Sequence, residues 1–265
     1  MNVFITGASS GIGQALAREF AGRGATLGLV ARRRDQLDAL NAELGGRHHA
    51  YAIDVTDRAA LIDGARAFDA ATGGADVVIA NAGISFGALT EFYEDLDDFR
   101  AVYETNVLAM VATFHPFIAG MRRRRRGTLV GIASVAGIRG LPGSEAYGAS
   151  KAAVISYCES LRIDLKPAGI RVVTIAPGFI RTPMTAVNPY RMPFLMEADR
   201  FARRAADAIE RGASYTVIPR PMAVVAKLLR LLPDALYDRL MARRKHKPRR
   251  AHPAARAAAC ACAGP

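Results

Sequence analysis

The sequence predicts an α/β fold, a single domain with a doubly wound parallel sheet of about seven strands and helices on both faces. Three observations support this prediction. Short apolar runs recur along the first 218 residues, amphipathic segments separate most of them, and polar or glycine-rich motifs come directly after several runs. Apolar strands that alternate with helices are typical of parallel βαβ units. Ligands bind such sheets beyond the carboxyl ends of the strands, so we expect functional residues to follow strands.

Each element is predicted from its own pattern. The apolar runs occupy residues 3–6, 26–31, 49–53, 76–80, 128–133, 171–176 and 214–218. Amphipathic helices between them include residues 13–24 and 35–46. Right-handed crossovers between successive strands would place the helices on both faces of the sheet. Two stretches depart from the alternation: residues 178–200 read as a loop with three prolines, and two short helices separated by Pro233 follow residue 220.

The composition fits one large domain. Of the 265 residues, 51% are hydrophobic and can supply a substantial core, and 23% are charged. No apolar window approaches the ~18 residues of a membrane span. The first predicted strand begins at residue 2, which leaves no room for a signal peptide. Three cysteines are too few for a disulfide framework, and a reducing, cytoplasmic location is expected.

The net charge of +12 comes from two segments of the chain. The run Arg122 to Arg126 and residues 243–256, which contain no acidic residue, together account for all of it. We interpret the arginine run as the solvated C-terminal end of a helix, where cations are favourable. Nucleic-acid binding is not expected, because no basic surface spreads over the fold and aromatic residues are not interleaved with the basic ones.

The segment TGASSGIG, residues 6–13, follows the first strand and opens the first helix. Its glycines allow a tight turn, a close approach of the backbone to a phosphate, and tight packing of helix on strand. The unpaired N–H groups and the dipole of a helix N-terminus favour an anion. The spacing G-x-x-x-G-x-G departs from the common G-x-G-x-x-G fingerprint. We predict that the turn binds a cofactor through Gly7, Ser9, Ser10, Gly11, Ile12 and Gly13.

The second predicted strand ends in ARRRD, residues 31–35. Folds that bind NAD usually place Asp or Glu here, as an acceptor for the ribose 2′-hydroxyl. Arg32 and Arg33 occupy this region instead, and a guanidinium binds a 2′-phosphate through charge-assisted hydrogen bonds. We therefore predict that NADP(H) is preferred over NAD(H), with Asp35 as the residue that argues against it.

Further motifs follow TGASSGIG at 6–13 along the chain. They are DVTD at 54–57, NAG at 81–83, Asn106 in ETNVLA, Ser134 in GIASVAG, YGASK at 147–151 and PGFIRTP at 177–183. These motifs give the chain, from about residue 2 to residue 218, a resemblance to the short-chain dehydrogenase/reductase family. Their order matches the family, as does the position of Ser134, 13 residues before Tyr147. Ala80 and Ala133 stand where the family commonly has Asn and Ser, and neither change removes a reacting group. The resemblance implies a Rossmann-type fold and an oxidoreductase.

The resemblance also implies the catalytic groups, which are Asn106, Ser134, Tyr147 and Lys151. Tyr147 would donate or accept the proton, and Ser134 would hold the substrate oxygen. Lys151 would lower the pKa of Tyr147 and bind the nicotinamide ribose, while Asn106 would support a water in a proton relay. A free tyrosine has a pKa near ~10, so proton exchange at pH 7 requires a decrease of about 2–3 units. Positions i and i+4 share one face of a helix, which places the lysine beside the phenol.

The remaining cofactor contacts are implied in the same way. Asp54 and Val55 would border the adenine, Asn81, Ala82 and Gly83 would shape the cofactor cleft, and Pro177, Gly178, Ile180 and Thr182 would contact the nicotinamide. No metal site is expected. By resemblance the protein would be a homodimer or homotetramer.

In this family the segment after the sixth strand covers the substrate. Here residues 178–200 offer Phe179, Met184, Tyr190, Met192, Phe194, Leu195 and Met196. An apolar lid of this kind suits a hydrophobic carbonyl or alcohol, although packing of some of these side chains on the body explains the pattern equally well. We predict an NADP(H)-dependent oxidoreductase that interconverts a carbonyl and an alcohol on a hydrophobic small molecule.

The predicted organisation has three parts. Residues 1–220 form the dinucleotide-binding and catalytic domain, residues 221–245 a C-terminal helical extension, and residues 246–265 a basic, disordered tail in which Cys260 and Cys262 hold no metal. The extension combines an apolar face with basic residues. Packing on the body or on a neighbouring subunit is favoured over peripheral contact with an anionic membrane. Two alternatives to the main function remain: a membrane-surface reductase of a lipid intermediate, and a non-catalytic NADP(H)-sensing protein.

Overall fold

The computed structural model describes residues 1–250, and a parallel sheet lies at the centre of this part of the chain. The strands are β1 (Asn2–Thr6), β2 (Thr26–Ala31), β3 (His49–Ala52), β4 (Val77–Ala80), β5 (Gly127–Ile132), β6 (Ile170–Pro177), β7 (Ile180–Arg181), β8 (Met196–Glu197) and β9 (Tyr215–Ile218). Within residues 1–250, seven of them form one sheet in the order β3-β2-β1-β4-β5-β6-β9, in which every neighbouring pair is parallel. The predicted α/β fold is confirmed.

Helices follow most strands. They are α1 (Gly11–Gly22), α2 (Arg34–Glu43), α3 (Arg58–Thr72), α4 (Asp95–Tyr103), α5 (Ala109–Arg124), α6 (Glu145–Leu165), α7 (Pro183–Ala186), α8 (Ala198–Glu210), α9 (Arg220–Leu231) and α10 (Asp234–Met241). Helix α3 shows how local sequence sets its ends: the Asp57 carboxylate accepts a hydrogen bond from the Ala60 N–H at 3.0 Å, and Gly73 ends the helix with a φ of 70°. In residues 1–250, every helix is either too short or too polar to cross a bilayer.

Two helical layers cover the sheet, and the alternation of side chains along β1 shows both of them. Val3 and Ile5 join a core shared with α1, α2 and α8, whereas Phe4 joins a core shared with α3, α5 and α6. The Phe4 ring lies 5.5 Å from the ring of Phe68 and 5.1 Å from that of Phe117, centroid to centroid. Because β1 is buried on both faces, its central residues Val3, Phe4 and Ile5 form a continuous apolar run rather than an alternating pattern.

The arginine run lies where the charge pattern predicts it. Helix α5 ends at Arg124, so cationic side chains occupy its last turn and meet the negative end of the helix dipole. Arg124 also donates a hydrogen bond to the Ala75 carbonyl at 2.9 Å. The run therefore ends a helix beside β4 and β5.

The segment predicted as a substrate lid, residues 178–200, is more regular than its prolines suggest. The sequence pattern predicts a loop over residues 178–200, but β7 and β8 pair in a two-stranded parallel sheet, and α7 lies between them. Thr182 and Thr185 form a capping box at the start of α7. Met196 is buried with α8, so this side chain belongs to the core, while Phe194 stays exposed.

The C-terminal helices and the residues after them pack on the rest of the domain. Helices α9 and α10 lie on either side of Pro233, and Tyr237 of α10 donates a hydrogen bond to the Gly140 carbonyl. The chain then runs back along the loop after β4, where the Gly87 N–H donates to the Pro248 carbonyl at 2.9 Å. Residues 246–250, placed by the sequence pattern in the basic tail, thus contact the body. Residues 251–265, with Cys260 and Cys262, lie outside the described residues.

Candidate active site

The glycine-rich turn between β1 and α1 leaves no room for side chains at its base. A Cβ at Gly13 would lie 2.1 Å from the Gly7 carbonyl oxygen, and a Cβ at Gly7 would lie 2.9 Å from the Ala82 Cα. Gly7 and Gly11 have φ values of 68° and 57°, in the left-handed region that favours glycine. These contacts bring the backbone of the turn, the start of α1 and the segment after β4 into close packing.

Asn81 fixes this packing through its side chain. Its amide Nδ2 donates to the carbonyls of Thr6 at 2.9 Å and Gly7 at 3.3 Å. In return, the Thr6 hydroxyl accepts the N–H groups of Asn81 and Ala82, both at 3.1 Å. The turn after β1 and the segment after β4 are therefore joined at the point where the strand order reverses, the usual ligand crevice of a doubly wound sheet.

The end of β2 brings cations to the same turn. The Arg33 guanidinium donates to the hydroxyls of Ser9 at 3.2 Å and Ser10 at 3.4 Å. Arg32 is exposed and lies 3.8 Å from the carboxylate of Asp54. Asp35 lies in the first turn of α2 and does not line the cleft. Asp35 therefore does not oppose a phosphate bound in the cleft. The Arg33 guanidinium and the hydroxyls of Ser9 and Ser10 meet beside the end of β2.

A cleft of about 630 Å³ joins the turn to the first turns of α6. The residues predicted from sequence that line it are Gly7, Ser9, Ser10, Gly11, Ile12, Arg32, Arg33, Asp54, Val55, Asn81, Ala82, Gly83, Ser134, Tyr147, Lys151, Pro177, Gly178, Ile180 and Thr182. The structure does not bring Gly13 or Asn106 to its surface. Gly13 packs beneath the turn, and Asn106 is fully buried behind the cleft.

Ser134, Tyr147 and Lys151 come together at the end of β5. Ser134 follows the strand, and its hydroxyl accepts the Ala136 N–H at 3.1 Å, which orients it at the start of a short 3₁₀ turn. The Lys151 ammonium donates to the Ile132 carbonyl at 2.8 Å and lies 5.9 Å from the centroid of the Tyr147 ring. An ammonium has three donors, so two remain after the bond to Ile132.

Burial dominates the protonation of these groups. It raises the pKa of Tyr147, a rise that a hydrogen bond with Ser134 partly offsets and the Tyr190 phenol increases. Burial also lowers the pKa of Lys151 to about 8, with an opposing contribution from Cys158. Desolvation of the phenol is the largest contribution to the Tyr147 pKa, and the Lys151 ammonium donates to a carbonyl; the predicted lowering of this pKa by Lys151 stays a prediction. At neutral pH the pair is a neutral phenol beside a cation.

Asn106 acts on the loop after β4 rather than on the cleft. It lies in a π-helical turn, Glu104–Leu108, between α4 and α5. Its amide accepts the Ile84 N–H at 2.8 Å and donates to the Ile84 carbonyl at 3.1 Å and to the Ser150 hydroxyl at 3.0 Å. Ser150 in turn donates to the Tyr147 carbonyl at 2.8 Å. Both amide donors are used, and the predicted support of a water stays a prediction.

Several residues of the cleft were missed from sequence. They are Ala31, Ile53, Thr56, Ile84, Asp97, Arg100, Ala101, Glu104, Thr105, Ile132, Ala133, Pro183, Thr185 and Arg250; Met184, predicted as part of the lid, lines the cleft as well. Four of them, Asp97, Arg100, Ala101 and Glu104, repeat at the i, i+3, i+4, i+7 spacing of one helix face, and this signal could have found them. Ala31, Ile53, Ile132 and Ala133 stand at or next to strand ends. Nothing in the sequence pattern points to Arg250.

The last described residues, 243–250, are here called the strap, and they join the lid to the loop after β4. The Arg244 guanidinium lies 4.8 Å from the Tyr190 ring centroid. The Lys247 ammonium donates to the Ser85 hydroxyl at 2.9 Å and to the Met184 carbonyl at 3.5 Å. Arg249 forms two 2.8 Å hydrogen bonds to the buried carboxylate of Asp95. Three distant parts of the chain thus meet at the side of the cleft where the substrate is predicted to bind.

Comparison with known proteins identifies the class. A family model described as short chain dehydrogenase matches residues 1–191, and the chain belongs to this family. A curated relative from Myxococcus xanthus, named an uncharacterized oxidoreductase, is 40% identical over 237 residues, which cover 88% of this chain and 93% of the relative.

Two solved structures extend the comparison. The structure of a short-chain dehydrogenase from Sphingobium yanoikuyae in complex with NADPH is 30% identical, with a TM-score of 0.76, and covers 96% of this chain and 99% of its own. The structure of ElxO with NADP bound is 26% identical, with a TM-score of 0.72, and covers 82% and 96%.

The residues of the cleft fit a nicotinamide dinucleotide. The side-chain-free cradle at Gly7 and Gly13, followed directly by the N-terminus of α1, suits a pyrophosphate. Arg33 with Ser9 and Ser10 offers donors to a further anion. Among residues 1–250, no group of three or more His, Cys, Asp or Glu side chains is placed to hold a metal ion.

Proposed function

We propose that this protein is an NADP(H)-dependent oxidoreductase that interconverts a carbonyl and an alcohol on a hydrophobic small molecule, with Tyr147 as the proton donor or acceptor. The observation that supports this proposal is that Ser134, Tyr147 and Lys151 line the same cleft as the glycine-rich turn. A proton donor, a second hydroxyl and a cation thus share one cavity with a dinucleotide cradle.

The chain's own groups account for the acid–base part of the reaction. A bound nicotinamide cofactor supplies or accepts the hydride. Ser134 and Tyr147 offer two hydroxyls to one carbonyl oxygen, and donors of this kind stabilise the charge that develops on it. Because its pKa is raised, Tyr147 holds its proton at pH 7 and can donate it to the developing alkoxide. The reverse reaction needs the phenolate, which a protonated Lys151 nearby favours.

The preference for NADP(H) over NAD(H) rests on the corner formed by Arg32, Arg33 and the two serines. A 2′-phosphate carries charge that guanidinium groups bind well, and the hydroxyls of Ser9 and Ser10 already orient Arg33. The two structural neighbours that were solved with NADP and NADPH support this preference.

The proposal of a hydrophobic substrate is based on apolar side chains that line the cleft. Ile84, Ile180 and Met184 line the cleft, and the Tyr190 phenol is close enough to raise the Tyr147 pKa. Apolar walls around a few converging polar groups are typical of sites for small hydrophobic molecules. The role of residues 178–200 as a lid, and the division of the chain at residues 220 and 245, belong to this proposal.

A homodimer or homotetramer is also part of the proposal. Helices α4 to α6, with the π turn, expose large apolar side chains: Leu96, Tyr103, Leu108, Val111 and Ile163. Exposed apolar residues on neighbouring helices are typical of subunit interfaces. A cytoplasmic location is proposed from the cysteine usage alone.

The test is NADPH oxidation by the full chain against hydrophobic ketones, aldehydes and quinones, with Tyr147→Phe compared with Tyr157→Phe. Both tyrosines lie on α6, and only Tyr147 lines the cleft. We expect Tyr147→Phe to lower kcat by about 10²–10⁴-fold, the usual effect of removing a general acid. NADPH binding, followed by its fluorescence, should stay unchanged, and Tyr157→Phe should keep most of the activity.

Equal losses in the two variants would contradict the role of Tyr147. Tight NADPH binding without turnover on any compound would favour the alternative, a protein that senses NADP(H) without catalysis.

A further inference from the structure

The two C-terminal helices carry both buried and exposed apolar residues. Met222 and Ala226 of α9 and Tyr237 of α10 are buried against the body. A second set is 54–73% exposed: Val224, Leu228 and Leu231 on α9, and Leu236 and Leu240 on α10. Their spacings of three and four residues place each of these sets on one face of its helix. One face therefore packs on the protein, as the sequence pattern favoured, and another is left uncovered.

Basic side chains accompany the uncovered faces. Lys227 is three residues after Val224 and four before Leu231, and Arg239 is three residues after Leu236, so both belong to the exposed faces. The exposed cations of residues 220–245 are Arg220, Lys227, Arg230, Arg239, Arg243 and Lys245, and none forms an ion pair with another of residues 1–250. The acidic residues between 220 and 250 are Asp234, which pairs with Arg139, and Asp238.

We propose that the outward faces of α9 and α10 bind the surface of an anionic lipid bilayer. Exposed leucines flanked by Lys and Arg are the pattern of a helix that lies in the membrane interface, with its apolar side chains at the acyl boundary and its cations at the lipid phosphates. Neither helix is long enough to span, so the contact is peripheral.

The charge distinguishes a membrane from a second copy of this chain. In a two-fold symmetric contact the same patch appears on both subunits, so these cations would face their own copies. Like charges in such a contact oppose association. An anionic bilayer surface would pair its lipid phosphates with these cations and would bury the exposed leucines in the same contact.

The proposed contact lies next to the substrate side of the cleft. The strap begins just after α10, and its residues Arg244 and Lys247 touch the lid at Tyr190 and Met184. A docked bilayer would therefore lie near the lid. The proposal does not depend on the oxidoreductase activity and is tested without a substrate.

The experiment measures co-sedimentation of the full chain with phosphatidylcholine vesicles, with and without phosphatidylglycerol. We expect binding only to the vesicles with phosphatidylglycerol and a decrease in binding with added salt. The pair Lys227→Gln and Arg239→Gln should weaken partitioning by roughly 30-fold, because each basic residue near an anionic surface contributes about 1 kcal/mol. The pair Leu228→Ser and Leu231→Ser should also reduce binding by about tenfold or more.

Matched controls remove the same chemistry elsewhere. Arg122→Gln with Arg123→Gln takes two exposed cations from the end of α5, and Tyr93→Ser takes an 86% exposed apolar side chain from the loop after β4. Both should bind vesicles like the unchanged chain, and NADPH binding should be equal in all variants.

Several results would overturn the proposal. They are equal binding to neutral and anionic vesicles, no binding at all, or equal loss in the control variants. Loss of a dimer in Leu228→Ser with Leu231→Ser, measured by light scattering without vesicles, would assign the face to a second copy instead.

Discussion

The two ends of the cleft are built in different ways. At the phosphate end, backbone atoms of residues 6–13 lie against the segment 81–83. The packing is so close that a Cβ at Gly7 or Gly13 would clash with neighbouring atoms. At the substrate end, side chains from the loop after β4, the lid and the strap meet, through contacts such as Lys247 with Ser85 and Arg249 with Asp95. The first end depends on the main chain, and the second on the particular side chains that three segments carry.

The two ends therefore differ in which substitutions they tolerate. A cradle of backbone atoms suits a pyrophosphate, which is the same in every dinucleotide cofactor. Replacing a glycine there would create a steric clash. Side chains at the substrate end can be exchanged without disturbing the sheet, so under the proposed function this end would determine which carbonyl compound is accepted. Substitutions at the two ends should therefore affect different measured quantities.

The largest effect is expected for Gly13→Ala. The new Cβ would lie 2.1 Å from the Gly7 carbonyl oxygen, so the turn must move. We expect the free energy of unfolding to fall by about 3 kcal/mol or more. NADPH binding should be lost as well. Gly22→Ala is the control in the same helix, because a Cβ there has no atom within 4 Å. It should leave stability unchanged or raise it by up to about 1 kcal/mol. Urea denaturation measures both, and equal effects would show that the turn is not sterically closed.

A smaller effect, confined to one cofactor, is expected for Arg33→Ala. Because a hydrogen bond to a charged group contributes about 1.5–3 kcal/mol, the KM for NADPH should rise about tenfold or more, and that for NADH should change little. Arg34→Ala is the control, since this neighbour begins α2 and does not line the cleft. Steady-state kinetics with both cofactors gives the answer. An equal rise for NADH and NADPH would contradict binding of the 2′-phosphate by Arg33.

The smallest effect is expected for Arg249→Ala at the substrate end. Loss of its bonds to Asp95 should loosen the strap, so that the KM for the carbonyl substrate rises a few-fold while the KM for NADPH is unchanged. Arg243→Ala removes an exposed arginine of the same strap and should change neither constant. Parallel rises in both KM values would mean that the two ends are not independent.

The repeated pattern of apolar runs predicted most of the fold. All seven strands of the main sheet overlap the predicted segments, because strands of a parallel sheet that helices cover on both faces are rich in apolar residues. The cofactor end was also predictable, since its motifs are short and follow strand ends. Nineteen of the residues predicted for the site line one cleft.

The rest depends on contacts that a sequence does not show. The π turn at Glu104–Leu108 and the pairing of β7 with β8 need partners distant in the chain. The raised pKa of Tyr147 follows from burial, which the i, i+4 spacing with Lys151 does not reveal. Most of the strap lies in the stretch that the sequence pattern predicts as a basic, disordered tail, and only its buried partners, such as Asp95, show that it contacts the rest of the domain.

The Asn81 side chain makes assembly of the phosphate end depend on the synthesis of β4. Residues 6–13 leave the ribosome early, yet the amide that holds the Thr6 and Gly7 carbonyls follows only after β4. Pairing of distant segments must also overcome the entropy of closing the chain between them. A nascent chain that ends before residue 81 therefore carries the glycine-rich sequence without the contacts that shape it. The strap emerges later still, so the growing protein can acquire its cofactor cradle before its substrate end is closed.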